Sequence, residues 1–389
     1  MTQTARVEQM TTAFAKLYRT EPTVWVRAPG RVDLMGSHTD YNMGHVLTMP
    51  IDRDTWIAAR PRIGRVVRVH SLNVDQGSGF SLDGIVHDER VLWANYVRGV
   101  ADVLKSEGYD LSGFDGIVHS TVPLSSGLSS SAALECATAV LFRAMGGWEI
   151  DPVRMALLCQ RAENEFVGMN CGILDQYTSV MGQAGCALLL DCRNLTGQPV
   201  TLPDGVQVVI CDTQAERELT GSEYGERRAQ TEEGAQLLAR FYPGVTALRD
   251  VTLEQFLEHE AVLPPLVARR CRFVIEENER VLQLAERLPT NDQTAICILM
   301  TTSYEGARDL YEIVSSEMAA MMEAMLSAPG VIGARQTGAG FGGCMVALVK
   351  VEEVAAFERH VRQNYQAATG IEPEVYSVQA AAGAGELQA

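Results

Sequence analysis

Apolar residues recur at helical spacing near the start of the chain, at Val7, Met10, Phe14 and Leu17. They give way to TVWVRAPGRVDLM, which reads as a strand running into a turn. The runs VVRVHSLN and FDGIVHSTVP predict further strands, and between them VLWANYVRGVADVLKSEG keeps its apolar residues at helical spacing until glycine ends it. Helical patterns recur over Ala132 to Met145 and Asp151 to Phe166, and CALLLDC then predicts a strand. The alternation restarts in the second half: VQVVICD as a strand, SEYGERRAQTEEGAQLLARFY and RRCRFVIEENERVLQLAERL as helices, and CMVALV as a strand. The pattern predicts mixed helix and sheet without a short-period repeat. It places a boundary just beyond CALLLDC, dividing the chain into lobes 1–195 and 196–389. The tail from Gln379 to Ala389 is rich in alanine and glycine, and its few large apolar groups predict a frayed end.

Composition narrows this picture. The chain has 389 residues, 47% of them hydrophobic, enough for two packed lobes with a cleft between them. No run of about twenty apolar residues occurs, and MTQTARVEQM lacks the features of a signal peptide, so a soluble cytoplasmic protein is expected. The nine cysteines form no CxxC pair, and several sit inside apolar runs, as reduced core thiols would. A formal charge of −17 argues against nucleic acid and anionic membranes as partners, so an anionic substrate must meet a local amide-rich or positive site.

Three segments carry candidate chemistry. In PLSSGLSSSAALECA, residues 123 to 137, a Gly and Ser loop runs directly into a good helix former. A helix N-terminus exposes unpaired N–H groups, and small residues admit phosphate oxygens to them; a Ser-rich N-cap is equally a common structural device. No lysine follows the glycine, so this is not a P-loop. The segment RAPGRVDLMGSHTDYNMGHVL packs Arg31, Asp33, His38, Asp40 and Asn42 around glycines, a density that suits a polyol, although Asp and Asn also serve turns. GARQTGAGFGGCMVAL places five glycines before a strand, where a backbone can approach a ligand closely. A dinucleotide fingerprint would need a helix there.

In this order the three segments resemble the signature motifs of the GHMP kinase superfamily, and specifically its galactokinase branch. VLWANYVRGVADVL, AENEFVGMNCGILDQYTSVMG, LLLDCRNL and RELTGSEYGERR extend the likeness over nearly the whole chain. The resemblance implies an α+β fold with an N-terminal lobe related to a ribosomal-protein domain, a C-terminal α+β lobe and substrates in the cleft. It implies ATP and Mg2+ as cofactors and phosphorylation of a galactose-like sugar on its anomeric hydroxyl; whether the protein is a monomer or a homodimer is left open.

By the same resemblance Asp175 of CGILDQY is the catalytic carboxylate and Arg31 the arginine beside the anomeric oxygen. Ser37, His38, Asp40, Gly172 and Tyr224 face the sugar. Ser125, Ser126, Gly127, Leu128, Ser129, Ser130, Ser131 and Ala132 form the phosphate loop, and Trp93 and Tyr96 stand at the adenine pocket. Glu163 holds the metal together with Ser130 or Ser131.

The sequence departs from the family at three places. Galactokinases usually read GEHTDYN where Gly36 is followed by Ser37; the lost glutamate keeps D-galactose open beside C6-altered sugars such as galacturonate or L-arabinose. Asp33 replaces the usual asparagine, and SYEGARDLYE lacks a histidine after Ser303. A non-catalytic sugar and ATP sensor is the reading of another class, against which Arg31, Asp175 and Glu163 stand.

Overall fold

A computed structural model of the chain describes residues 2–124, 126–215 and 222–387, with the side chain of Ser222 left aside. Eight strands make the larger sheet: β1 (Val24–Met35), β2 (His45–Pro61), β3 (Val66–Ser71), β4 (Gln76–Ser81), β5 (Phe114–Ser120), β6 (Cys186–Asp191), β7 (Thr196–Thr201) and, from the far end of the chain, β12 (Gly385–Glu386). Their order is β12-β1-β2-β5-β3-β4, with β6 on the first half of β2 and β7 beyond it. The smaller sheet is antiparallel, in the order β11-β8-β10-β9, from β8 (Val206–Asp212), β9 (Val331–Gln336), β10 (Cys344–Lys350) and β11 (Glu374–Val378).

Helix α1 (Gln3–Tyr18) buries Met10 and Phe14 on one face of the larger sheet, against Trp56 and Ile117. On the opposite face α2 (Ala94–Ser106), α3 (Ser130–Gly146) and α4 (Pro152–Arg161) build a core from residues such as Val97, Leu104, Ala137, Leu141 and Met155. Continuous burial explains the near-uniform apolar character of α3, which ends at Gly147 in the left-handed region, φ 64°. α5 (Leu174–Met181) follows a loop after α4. In the second half α6 (Ser222–Leu238), α7 (Leu253–His259), α8 (Pro265–Arg287) and α9 (Gln293–Asp309) precede α10 (Ser316–Leu326) and α11 (Val354–Thr369), which cover the smaller sheet. Val32, Leu47 and Met49 of the first sheet share one core with Val281 of α8, Met300 of α9 and Val346 of the second sheet. The two lobes are therefore joined by packing as well as by chain.

Two expectations change. The strand Thr196–Thr201 belongs to the larger sheet, so the passage from one sheet to the other falls between β7 and β8, slightly beyond residue 195. The tail is not frayed up to Leu387. Gln379 and Asp52 exchange hydrogen bonds, Ala381 N–H donates to Pro50 O, Gly383 N–H to Gly182 O and Leu387 N–H to Trp25 O. Backbone pairing needs no large side chains, so the apolar count was a poor guide here. Among the described residues no helix is long and apolar enough to cross a membrane.

Candidate active site

A cavity of about 540 Å3 opens between the lobes, a size typical of small-molecule sites. Arg31, Ser37, His38, Asp40, Tyr96, Gly127, Ser129, Ser130, Ser131, Glu163, Gly172, Asp175 and Tyr224 all face it. The register of β1 against β2 slips between Pro29 and Arg31, and this bulge aims Arg31 and then Asp33 at one point. Gly30 sits in the bulge because a Cβ there would lie 2.6 Å from Leu128 O, the loop before α3.

Each arm of the buried Arg31 guanidinium faces an oxygen, although Nε and Asp33 Oδ1 meet as an ion pair without hydrogen-bond geometry. Nε lies 2.8 Å from Asp33 Oδ1, Nη2 lies 2.6 Å from Asp175 Oδ1, and Nη1 donates to Gly127 O at 2.6 Å. Its backbone N–H also donates to Leu128 O. One residue thus ties the carboxylate of α5 to the loop at the α3 N-terminus. Against the burial that would lower it, Asp175 and Asp33 hold the Arg31 guanidinium above its ordinary pKa. Burial raises the pKa of Asp33, which also accepts Gly338 N–H at 3.1 Å from the glycine-rich loop of the second lobe.

At that N-terminus Ser129 adopts φ 61° and no side chain caps the first turn of α3. Ser129 Oγ is buried without a partner, while Ser126 Oγ donates to Pro123 O. Uncapped N–H groups and an unpartnered hydroxyl are what an anion would satisfy. Glu163 stands opposite on a single π-helical turn, Ala162–Val167, and Ser131 hydrogen-bonds to it. Burial, and then Asp175, raise the pKa of Glu163. Leu128 and Ala132 are buried supports outside the cavity lining, and Ser125 lies outside the described residues. Trp93 also stands outside the lining, half-buried against the core, with Nε1 unpartnered; Tyr96 takes the wall position.

At the other end of the cavity, burial pushes Asp40 up to about 6 and His38 down to about 4. His38 Nε2 lies 2.9 Å from Ala339 O, so in the neutral ring it carries the hydrogen. Nδ1 then accepts from Tyr41 Oη at 2.8 Å, which leaves no ring nitrogen for a ligand. His38 therefore faces the cavity as part of an aromatic wall, its ring tilted against those of Tyr224 and Tyr311. Gly172 acts by what it lacks: a Cβ there would stand 1.7 Å from Asp40 Oδ2.

Ser37 Oγ accepts from Arg335 Nη2 at 3.2 Å. Arg335 also pairs with the fully buried Glu277, which accepts from Ser303 Oγ and from Arg280. Burial opposes ionisation of Glu277, but Arg280 and Arg335 lower its pKa. Sequence reading found neither Glu277 nor Arg335. It also missed Gln176, whose amide bridges Glu163 and Glu135.

A helix N-terminus for an anion, a carboxylate and guanidinium beside it, and a polar pocket beyond define a small-molecule phosphotransferase cleft. Family profiles agree: "GHMP kinases N terminal domain" matches residues 95–183, "Galactokinase galactose-binding signature" residues 12–61 and "GHMP kinases C terminal" residues 282–367. A curated galactokinase from a Roseiflexus species is 43% identical over 374 residues, 96% of this chain and 95% of its own. The crystal structure of Lactococcus lactis galactokinase complexed with galactose superposes with a TM-score of 0.92 at 32% identity, covering 97% of this chain and 98% of that one. Methanococcus jannaschii mevalonate kinase shares the fold, with a TM-score of 0.67 at 17% identity over 93% of this chain and 99% of its own. The chain belongs to the galactokinase family of the GHMP kinases.

Proposed function

We propose that the protein transfers the γ-phosphoryl group of ATP to the anomeric hydroxyl of D-galactose, giving galactose 1-phosphate and ADP. The observation that carries this reading is the three-way clamp of Arg31 on Asp175, Asp33 and Gly127 O, which sets a proton acceptor beside a phosphate cradle. The sugar lies toward Asp40, Ser37 and Tyr224, with Asp40 accepting hydrogen bonds from its ring hydroxyls. The anomeric oxygen forms a bond to Pγ as the Pγ–O bond to the β-phosphate breaks, and its proton passes to Asp175. Arg31 stabilises the charge on the transferring oxygens, and the α3 N-terminus holds the phosphates in line.

The donor set suits magnesium: Glu163 and Ser131 offer hard oxygen ligands beside the cradle. Among the described residues no group of three or more His, Cys, Asp or Glu side chains is arranged to hold a metal ion. When bound, the ion neutralises charge on the β- and γ-phosphate oxygens. Soluble cytoplasmic activity of one chain or a pair of chains completes the reading.

Ser37 supports D-galactose while widening the pocket. With Arg335 donating to its oxygen, its own O–H remains to donate to a C6 substituent. ADP release measured with Mg2+, ATP and D-galactose, D-galacturonate, L-arabinose or N-acetylgalactosamine tests this. The highest kcat/KM is expected for D-galactose; a winner altered at C6 would move the assignment to that sugar, and binding without turnover would make the protein a sensor.

A further inference from the structure

Behind Glu163 lies a buried polar cluster that phosphoryl transfer as described does not use. Gln176, fully buried on α5 beside Asp175, donates from Nε2 to Glu163 Oε2 at 2.6 Å and to Glu135 Oε2 at 2.9 Å. Glu135, on α3 one turn beyond Ser131, is also fully buried. Cys171 Sγ donates to the same Glu163 oxygen at 3.2 Å. That oxygen therefore meets two donors, Gln176 from the buried side and Cys171 from the cavity wall, and Glu163 itself lines the cavity.

An amide is the fitting group at this point. Its NH2 supplies two donors, one for each of two carboxyl groups, without adding a charge. The cluster is also incompletely satisfied: Glu135 Oε1 and Gln176 Oε1 have no partner. A half-satisfied buried network is a poor way to stabilise a fold, since each unmade bond carries a desolvation penalty. Its geometry instead fixes the angle of one carboxylate, and outer-shell partners of metal ligands commonly act in this way.

We propose that Gln176, braced by Glu135, is a positioning residue that presents Glu163 to the metal–nucleotide complex. The proposal rests on the reading of Glu163 as a metal ligand given above. Gln176 connects that ligand to the proton acceptor as well, because Asp175 and Gln176 are consecutive on the first turn of α5. The orientation of Glu163 and that of Asp175 are thus set by one short helix.

The test is direct binding of Mn2+ with a non-hydrolysable ATP analogue to the full chain, followed by the paramagnetism of the ion, with galactose binding measured alongside. Gln176→Met, which keeps the length but removes both donors, is expected to weaken Mn2+–nucleotide binding about tenfold to a hundredfold and leave the galactose Kd within about twofold. Glu135→Leu should weaken it several-fold, and Glu135→Gln, which keeps the acceptor oxygen, should restore it; this pair carries the test if Gln176→Met does not fold. Wild-type Mn2+–nucleotide affinity in folded Gln176→Met or Glu135→Leu overturns the positioning role. Glu163→Gln separates the two layers: if it too binds like wild type, the metal assignment itself falls, whereas weakening there alone leaves that assignment standing and removes only Gln176.

Discussion

Replacing Asp40 by asparagine should make the sugar-free protein more stable at neutral pH while removing its hold on the sugar. Burial raises the Asp40 pKa from 3.8 to about 6, with Asp175 and Asp33 adding repulsion. A carboxyl whose folded pKa exceeds its unfolded value binds more protons when folded, so stability falls as pH rises between those two values and is lowest above the upper one. A shift of about two units corresponds to roughly 3 kcal/mol. Asp40→Asn has no proton to lose, so it should gain up to about 3 kcal/mol at pH 8 and almost nothing near pH 4. Denaturant unfolding of both proteins without sugar, at several pH values, measures this difference. The wild-type KM for sugar should also rise as pH falls through about 6, since a protonated Asp40 accepts fewer hydrogen bonds. Equal stabilities at pH 8, or a stabilisation independent of pH, would refute the reasoning.

Asp175→Asn should lower kcat by about 10²- to 10⁴-fold while isothermal titration still detects sugar, the size expected for a general base; near-normal turnover would remove it from that role. Gly172→Ala drives a methyl group into Asp40 Oδ2, and its sugar KM is expected to rise at least about tenfold with little change in Tm. Ser37→Glu adds a carboxylate beside Arg335 and should raise the kcat/KM ratio of D-galactose over D-galacturonate; an unchanged ratio would mean that position 37 does not read C6. Gln336 is fully buried with neither amide atom partnered, so Gln336→Met should raise stability by about 1–2 kcal/mol in urea unfolding.

What the sequence revealed was local. The Gly- and Ser-rich loop and α3 share one continuous segment, and the strand containing Arg31 announces itself by alternation, so both were legible. Strand β2 was not: Pro50, Asp52 and Asp54 interrupt its pattern, yet it pairs with β1, β5 and β6 at the centre of the sheet. The contact of Arg335 with Ser37 joins residues 298 positions apart, and no periodicity marks such a pair. His38 stands out in the sequence, but only the fold shows that Ala339 and Tyr41 occupy both nitrogens. In the sequence Asp33 is only a departure from the family's usual asparagine. The structure makes it the joint through which the glycine-rich loop of the second lobe touches Arg31.

The return of the last strand to the first sheet bears on how the molecule is made. Gly385 and Glu386 cover the outer edge of β1 at Arg27 and Val26, and Arg27 Nη1 donates to Ala382 O and Gly383 O. During synthesis that edge stays open while more than three hundred further residues leave the ribosome, and an open edge is a template for pairing with another chain. The strand that carries Arg31 therefore gains its outer neighbour only after the second lobe has been synthesised. No single cut in the chain separates the two lobes.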